Sequence, residues 1–325
     1  MLPLPGPLLD GPVGAAEFER ALARLQADPA LPADPVAGFF GPGSALWQIN
    51  SEAAIFLGAG RALLLQLAHP WVAAAVAEHG QALRDPIGRF HRTFETMFTL
   101  VFGTRDQALA KARALHARHA GIQGTLPGGT AYRANQIAAL RFVWASLADT
   151  GLLVEERLGG PLPAARLADY WRDSRRLAGL FGLGADAVPG DGPRFELYWQ
   201  DALAGDLLHV TPPAREIAAA LMDGAGRRWL AWPGWYRTLT ALLLPERLAT
   251  GFGLARGPAE QAKAAAAWRR AAWVRRRLPD LLRQVAPRQE ADARLRGRPP
   301  GPAVQLLNRV WIGRLRLSGP GPALD

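Results

Sequence analysis

His69 stands immediately before Pro70 at the end of a long apolar run, and Arg61 and Gln66 lie inside that run. A buried polar group without a partner costs about 1–3 kcal/mol, so a stretch serving only as core would have no use for them. Downstream, Arg89, Arg92, Thr93 and Thr96 share one face of a segment whose apolar stripe is Phe90, Phe94, Met97, Phe98 and Val101. Guanidinium and hydroxyl groups over a pocket would hold anionic groups or stabilise charge developing on oxygen. The same face turned to water would be ordinary solvated helix. His69 likewise divides between an acid–base or ligand role and a core histidine bonded to a carbonyl at the Pro70 break.

The chain has six histidines and no cysteine, which removes disulfides, thiolate ligands and cysteine nucleophiles together. It contains neither the H-E-x-x-H of a zinc hydrolase nor a Glu-x-x-His pair of the di-iron kind. His116 and His119 stand one turn apart, and no carboxylate near them in sequence completes a metal triad. Because Ala108, Ala112, Leu115, His119 and Ile122 share a side of their helix, a core histidine is the plain reading of His119. A G-x-S-x-G elbow and a glycine-rich phosphate loop are both missing, and Gly58-Ala59-Gly60 reads as a close helix-packing contact.

At 325 residues and 49% hydrophobic, the chain can bury a sizeable core. Its N-terminal stretch lacks the pattern of a secretory signal, and the strongest spanning candidate, Ala53–Ala68, carries Arg61 at its centre, so the protein is read as cytoplasmic. The net charge of +10 is local: residues 1–255 balance, whereas 256–298 hold twelve basic and four acidic residues. No nucleic-acid partner is expected from that distribution, and a weak anionic membrane contact through 256–298 is the alternative to a solvated face.

Stepping outward to the elements that must carry these residues, nearly every periodic segment reads as helix and none as alternating strand. Helices are expected over Ala15–Gln26, over Ser51–Ala68 with Ser51 as cap, from Pro70, over Gly88–Phe102, and from Thr104 to about Ile122. Further ones follow over Asn135–Leu158, Pro163–Phe181, Arg194–Leu208, Pro212–Met222 and Gly234–Ala249, and over Pro258–Val285 with a break before Pro279. The Pro/Gly-rich stretches Leu2–Pro12, Arg298–Pro302 and Ser318–Asp325 are expected to be poorly ordered.

Several motifs in order resemble one family: E-x(5)-G-x-G-R-A-L-L-L-Q-L-A-H-P (Glu52–Pro70), V-A-x-x-V-A-E-H (Val72–His79) and P-x-x-R-x-x-R-T (Pro86–Thr93). H-A-x-x-x-G (His119–Gly124), L-R-F-V-W-A-S-L-A-D-T (Leu140–Thr150) and V-T-P-x-A-R-E (Val210–Glu216) continue the match. The chain resembles the MpaB/rubber-oxygenase family, which includes the latex-clearing proteins, over roughly residues 45–250. The resemblance implies a single large all-α, globin-reminiscent domain that holds haem b and uses dioxygen on isoprenoid- or lipid-like substrates. It sets Arg89, Arg92 and Thr93 at the distal R-x-x-K-T motif, with arginine for lysine, and gives His119 as the favoured iron ligand with His69 as runner-up. Trp144 stands where the family pattern has a second histidine, and an indole has no ligand lone pair.

The resulting expectation is an oxygenase of that family acting on a small hydrophobic substrate. It would comprise an N-terminal helix and connector (1–44), an MpaB-like helical domain (45–255) and basic C-terminal helices and tail (256–325). Two alternatives stand beside it. One is a cofactor-free binder of an apolar molecule with Trp144, Phe90 and Phe94 lining its pocket. The other is a peripheral membrane protein using the helix face of Trp268, Ala271, Val274 and Leu278.

Overall fold

In α1 (Ala15–Gln26) the Gly14 amide donates to Glu17 Oε2 at 2.9 Å, closing the first turn. The computed structural model describes residues 11–79 and 83–317, so Leu2–Asp10 and Ser318–Asp325, expected to be poorly ordered, lie outside it. Helix α2 (Ala45–Ser51) is capped by Ser44, whose Oγ accepts the Trp47 amide at 3.1 Å. Ser51 therefore ends a helix instead of starting one, and its hydroxyl turns back to the Trp47 carbonyl at 2.6 Å. The cause is tertiary. Val285 donates its amide to the Ser51 carbonyl at 2.8 Å and Glu52 bridges Gln284, so the chain leaves helical geometry there. A 3₁₀ segment (Ala53–Gly58) then leads into α3 (Ala59–Ala68).

Proline disfavours helical geometry in the residue before it, and His69 is extended (φ −82°, ψ 116°), which ends α3 and starts α4 (Pro70–His79) at a 96° bend. Helix α5 (Pro86–Phe102) follows the Asp85 cap, and α6 (Arg105–Ala120) follows a capping box of Thr104 and Gln107. A short antiparallel hairpin pairs β1 (Gln123–Thr125) with β2 (Ala131–Arg133), Gly124 opposite Tyr132. Strands of three residues are too short for alternation to register in the sequence.

The hairpin feeds α7 (Ile137–Gly159), the central helix, which contacts α3 on one side and α8 (Ala164–Leu180) on another. Helices α9 (Gly192–Ala204) and α10 (Pro212–Met222) complete this half, with Thr211 Oγ1 accepting the Ala214 amide at 3.3 Å. Among the described residues α7 alone is long and apolar enough as a single helix to cross a membrane, and 67% of its apolar window is buried inside the fold. Gly58 and Gly60 let α3 approach its neighbours closely. A Cβ on Gly58 would lie 2.5 Å from Thr150 Cγ2, and one on Gly60 would lie 2.5 Å from Thr240 Oγ1.

The expected helix Gly234–Ala249 is divided at Pro245 into α11 (Gly234–Leu243) and α12 (Glu246–Gly251). Then come α13 (Pro258–Arg275), α14 (Asp280–Arg283), α15 (Ala286–Leu295) and α16 (Pro302–Ile312), the last opening inside the Pro/Gly stretch expected to be loose. Among the described residues the architecture is all-α, with sixteen α-helices and one small hairpin. Helix α13 packs on α7 and α11 through Ala264 and Trp268, so the Trp268 face expected at a membrane is turned into the core. Arg275 reaches Glu52 Oε2 at 3.1 Å and Glu155 Oε2 at 2.9 Å, fastening α13 to α7 and to the start of the 3₁₀ segment. Helices α15 and α16 cover α5.

Candidate functional site

The facing sides of α3 and α7 carry a buried polar seam. Arg61, 4% exposed, places Nη1 2.6 Å from both Asp149 Oδ2 and Thr150 Oγ1, and its Nε donates to the Leu243 carbonyl at 2.7 Å. Its guanidinium also lies 6.0 Å from the Trp199 ring centroid. Farther along, Gln66 Nε2 donates to Ser146 Oγ at 3.0 Å, and Ser146 donates to the Val143 carbonyl at 2.7 Å. Burial pushes the Asp149 carboxyl up, and Arg61 opposes the shift. Glu156, one to two turns on, is also pushed up by its partial burial and by Asp149.

His69 closes the seam. Its ring is 1% exposed, lies 5.2 Å from Phe142 and 5.6 Å from Trp71, and neither ring nitrogen has a hydrogen-bond partner. Burial lowers its pKa to about 4, against the pull of its own backbone carbonyl and with nearby His209 assisting, so the imidazole is neutral at pH 7. The His209 amide donates to the Ala68 carbonyl at 2.9 Å, holding the end of α3 in place. Other buried polar groups here, Trp47 Nε1 and Thr240 Oγ1 among them, also lack a protein partner, and His69 differs from them in carrying a titratable ring with both nitrogens so placed. The ring can accept a proton, or offer its lone pair to a Lewis acid, behind walls that exclude water.

His119 occupies other ground. It lines a narrow cleft, a cavity of about 10 Å³, with Phe18, Leu140, Leu180 and Phe181, and its pKa is lowered to about 4 by burial, with Arg118 and His116 adding to the shift. His116 stacks on Phe18 at 4.1 Å. Trp144 is 1% exposed, donates Nε1 to the Ser174 carbonyl at 2.7 Å and meets Phe195 edge-on at 5.6 Å. On a helix turning about 100° per residue, Phe142 and Trp144 point nearly opposite ways. His69 and Phe142 therefore lie on the α3 side of α7, while Trp144 and the Leu140 wall of the His119 cleft lie on the α8 side.

The α5 residues are also apart from the seam. Arg92 pairs with Asp85 at 3.1 Å beside the helix start, and Thr93 is exposed. Arg89 is pushed down by burial and by the neighbouring cations Arg118 and Arg92. The sequence singles out Arg61, Gln66 and His69 but not the residues that satisfy the first two, Asp149 and Thr150 for Arg61 and Ser146 for Gln66. The signal was available, since those three stand in the L-R-F-V-W-A-S-L-A-D-T stretch at spacings that return to one helix side.

The described residues thus form an all-helical domain with a buried histidine at the end of a polar seam between α3 and α7. Residues 46–277 match the catalytic domain of the ER-bound oxygenase mpaB/B'/rubber oxygenase family, and the chain belongs to that family. A search of curated proteins gives no significant match, and neither does a search of solved structures.

Haem b, implied by the resemblance, can be tested against the packing. The donors suit it, since His69 and His119 are both neutral imidazoles. The space does not. Pockets for drug-sized ligands run to roughly 300–1,000 Å³, whereas the enclosed cavity beside His119 is about 10 Å³ and Trp144 is 1% exposed in the core. Among the described residues no group of three or more His, Asp or Glu side chains could hold a bare metal ion. The arrangement therefore does not accommodate a macrocycle between His119 and Trp144.

Proposed function

We propose that the chain is an oxidoreductase of the oxygenase class, acting with dioxygen on an apolar, isoprenoid- or lipid-like substrate, with His69 as the reactive group of its site. Family membership supports the reaction class, and one observation carries the choice of residue: both His69 ring nitrogens are buried without a partner. In this reading the neutral ring holds an oxygen atom of dioxygen or of the oxygenated product by a hydrogen bond donated from whichever of Nδ1 or Nε2 carries the proton. Phe142 and Trp71 close over the ring, so the substrate reaches it only when these side chains move aside, and the Gln66–Ser146 bond keeps α3 in register with α7. Haem b stays outside the reading because the packing at His119 and Trp144 leaves no room for it.

The test is oxygen consumption and product mass spectrometry with a short polyprenyl probe, using protein from cells supplied with iron and haem precursor. Turnover is expected in the wild type and is lost in His69→Leu with the circular dichroism spectrum unchanged. Unaltered turnover in His69→Leu would overturn the assignment. A Soret band that disappears in His119→Ala would move the centre to α6 and overturn the argument from space.

A further inference from the structure

We propose that the end of the molecule formed by the last turns of α13, α14 and the first turn of α11 is a docking surface for an anionic lipid bilayer. The inward side of α13 is fixed by Ala264 and Trp268 in the core and by Arg275 on its two glutamates. At about 100° per residue, Arg270, Trp273 and Arg277 then fall together on the outward side. Trp273 is 52% exposed, and the Arg277 guanidinium lies 4.1 Å from its ring centroid. Leu281 and Leu282 continue the surface, exposed by 41% and 54%.

Helix α11 brings a second indole to the same end. Arg256, just ahead of α13, donates to the carbonyl of Ala241 at 3.1 Å and to that of Leu244, so α13 begins where α11 finishes and the two run antiparallel. Trp235, on the first turn of α11 and 52% exposed, therefore lies toward the Trp273 end. The 3₁₀ segment 53–58 touches both α11 and α14, and the Tyr236 hydroxyl donates to the Phe56 carbonyl at 2.9 Å.

The charge on this surface is uncompensated. Arg269, Arg270, Arg276 and Arg277 form no ion pair among the described residues, whereas Arg275 and Arg283 on neighbouring turns are paired. The acidic side chain next to the surface, Asp280, is held by Arg283 at 2.5 Å. Arginine attracts anionic headgroups and indoles settle at the level of those headgroups. Two exposed leucines on the following turn have an apolar layer to enter, which a nucleic acid or an acidic peptide would not offer. That combination selects a bilayer over other polyanions.

The experiment is co-sedimentation of the full chain with vesicles of phosphatidylcholine alone and of equal parts phosphatidylcholine and phosphatidylserine. Binding is expected on the mixed vesicles only and weakens with added salt. Each arginine near a charged surface is worth on the order of fivefold in binding, so Arg270→Gln/Arg277→Gln should bind on the order of 25-fold more weakly. Trp273→Ala should also weaken vesicle binding while leaving any retention on an anionic exchange resin unchanged. Since these side chains are exposed, an unchanged thermal melt shows that each variant is folded. Equal binding to both vesicles, vesicle binding indifferent to the arginine pair, or a Trp273→Ala that binds like wild type would overturn the proposal. Competition by duplex DNA that is as strong as competition by anionic vesicles would overturn it as well. None of these outcomes depends on the oxygenase reading.

Discussion

Acidifying the protein should unfold it through His69, and the size of the effect follows from its burial. The unfolded imidazole titrates at an ordinary 6.5, whereas the folded one is lowered to about 4 because burial strips water from its charged form by more than its own backbone carbonyl restores. As pH falls below 6.5 the unfolded chain takes up the proton first. The His69 contribution is therefore intact above that value and lost progressively as pH falls through about 4. The full span corresponds to about 3 kcal/mol, of which about 2.5 kcal/mol is gone by about pH 4.5. Asp149, pushed up, works in the opposite direction at the acid end, so the term is best isolated by difference. His69→Leu keeps similar volume and cannot titrate. Urea unfolding at neutral pH should put it within about 1 kcal/mol of wild type, since an unpartnered polar ring has been exchanged for an apolar side chain. At about pH 4.5 the variant should be the more stable by about 2.5 kcal/mol. Parallel stability curves for the two proteins, or a His69 ring that titrates near 6.5 by NMR, would refute the reasoning.

Three other perturbations test the packing around the seam. Arg61→Met removes the cation from a buried pair and leaves Asp149 uncompensated, for a loss of about 3–5 kcal/mol in urea unfolding; a loss under about 1 kcal/mol would show that water already reaches the pair. Gly58→Val sets a side chain into Thr150 and Val154 and should cost about 1–3 kcal/mol or more, whereas Gly128→Ala, with open space around it, should leave the melt unmoved. Trp144→His gives up the bond to the Ser174 carbonyl and much of a buried indole. It should lose about 3–5 kcal/mol and gain no Soret band, and a variant that turned coloured would contradict the packing argument.

Where helix limits are set by local chemistry, they were legible. The starts at Thr104 and Pro212 and the His69-Pro70 break all fall at the expected positions. Ser51 was misleading because the partners that end α2, Val285 and Gln284, come from more than 230 residues away. The division at Pro245 was signalled by the proline itself and was overridden by the continuous apolar pattern around it. At the seam, polar residues in an apolar run announced that something had to satisfy them. Which residues did so was hidden, because α7 is buried on most sides and its apolar stripe does not show which side meets α3. The family resemblance named His69, His119 and Trp144 together, whereas the fold puts His69 on the α3 side of α7 and Trp144 and His119 on its α8 side.

The Arg275 clamp has a consequence for how the chain is made. Until residue 275 has left the ribosome, Glu52 and Glu155 lack the cation they share, and Val154, Leu158 and Leu239 lack Trp268 to cover them. Most of the chain is thus synthesised before its central helix can be closed over, leaving an apolar flank open to chaperones, or to aggregation, throughout that interval.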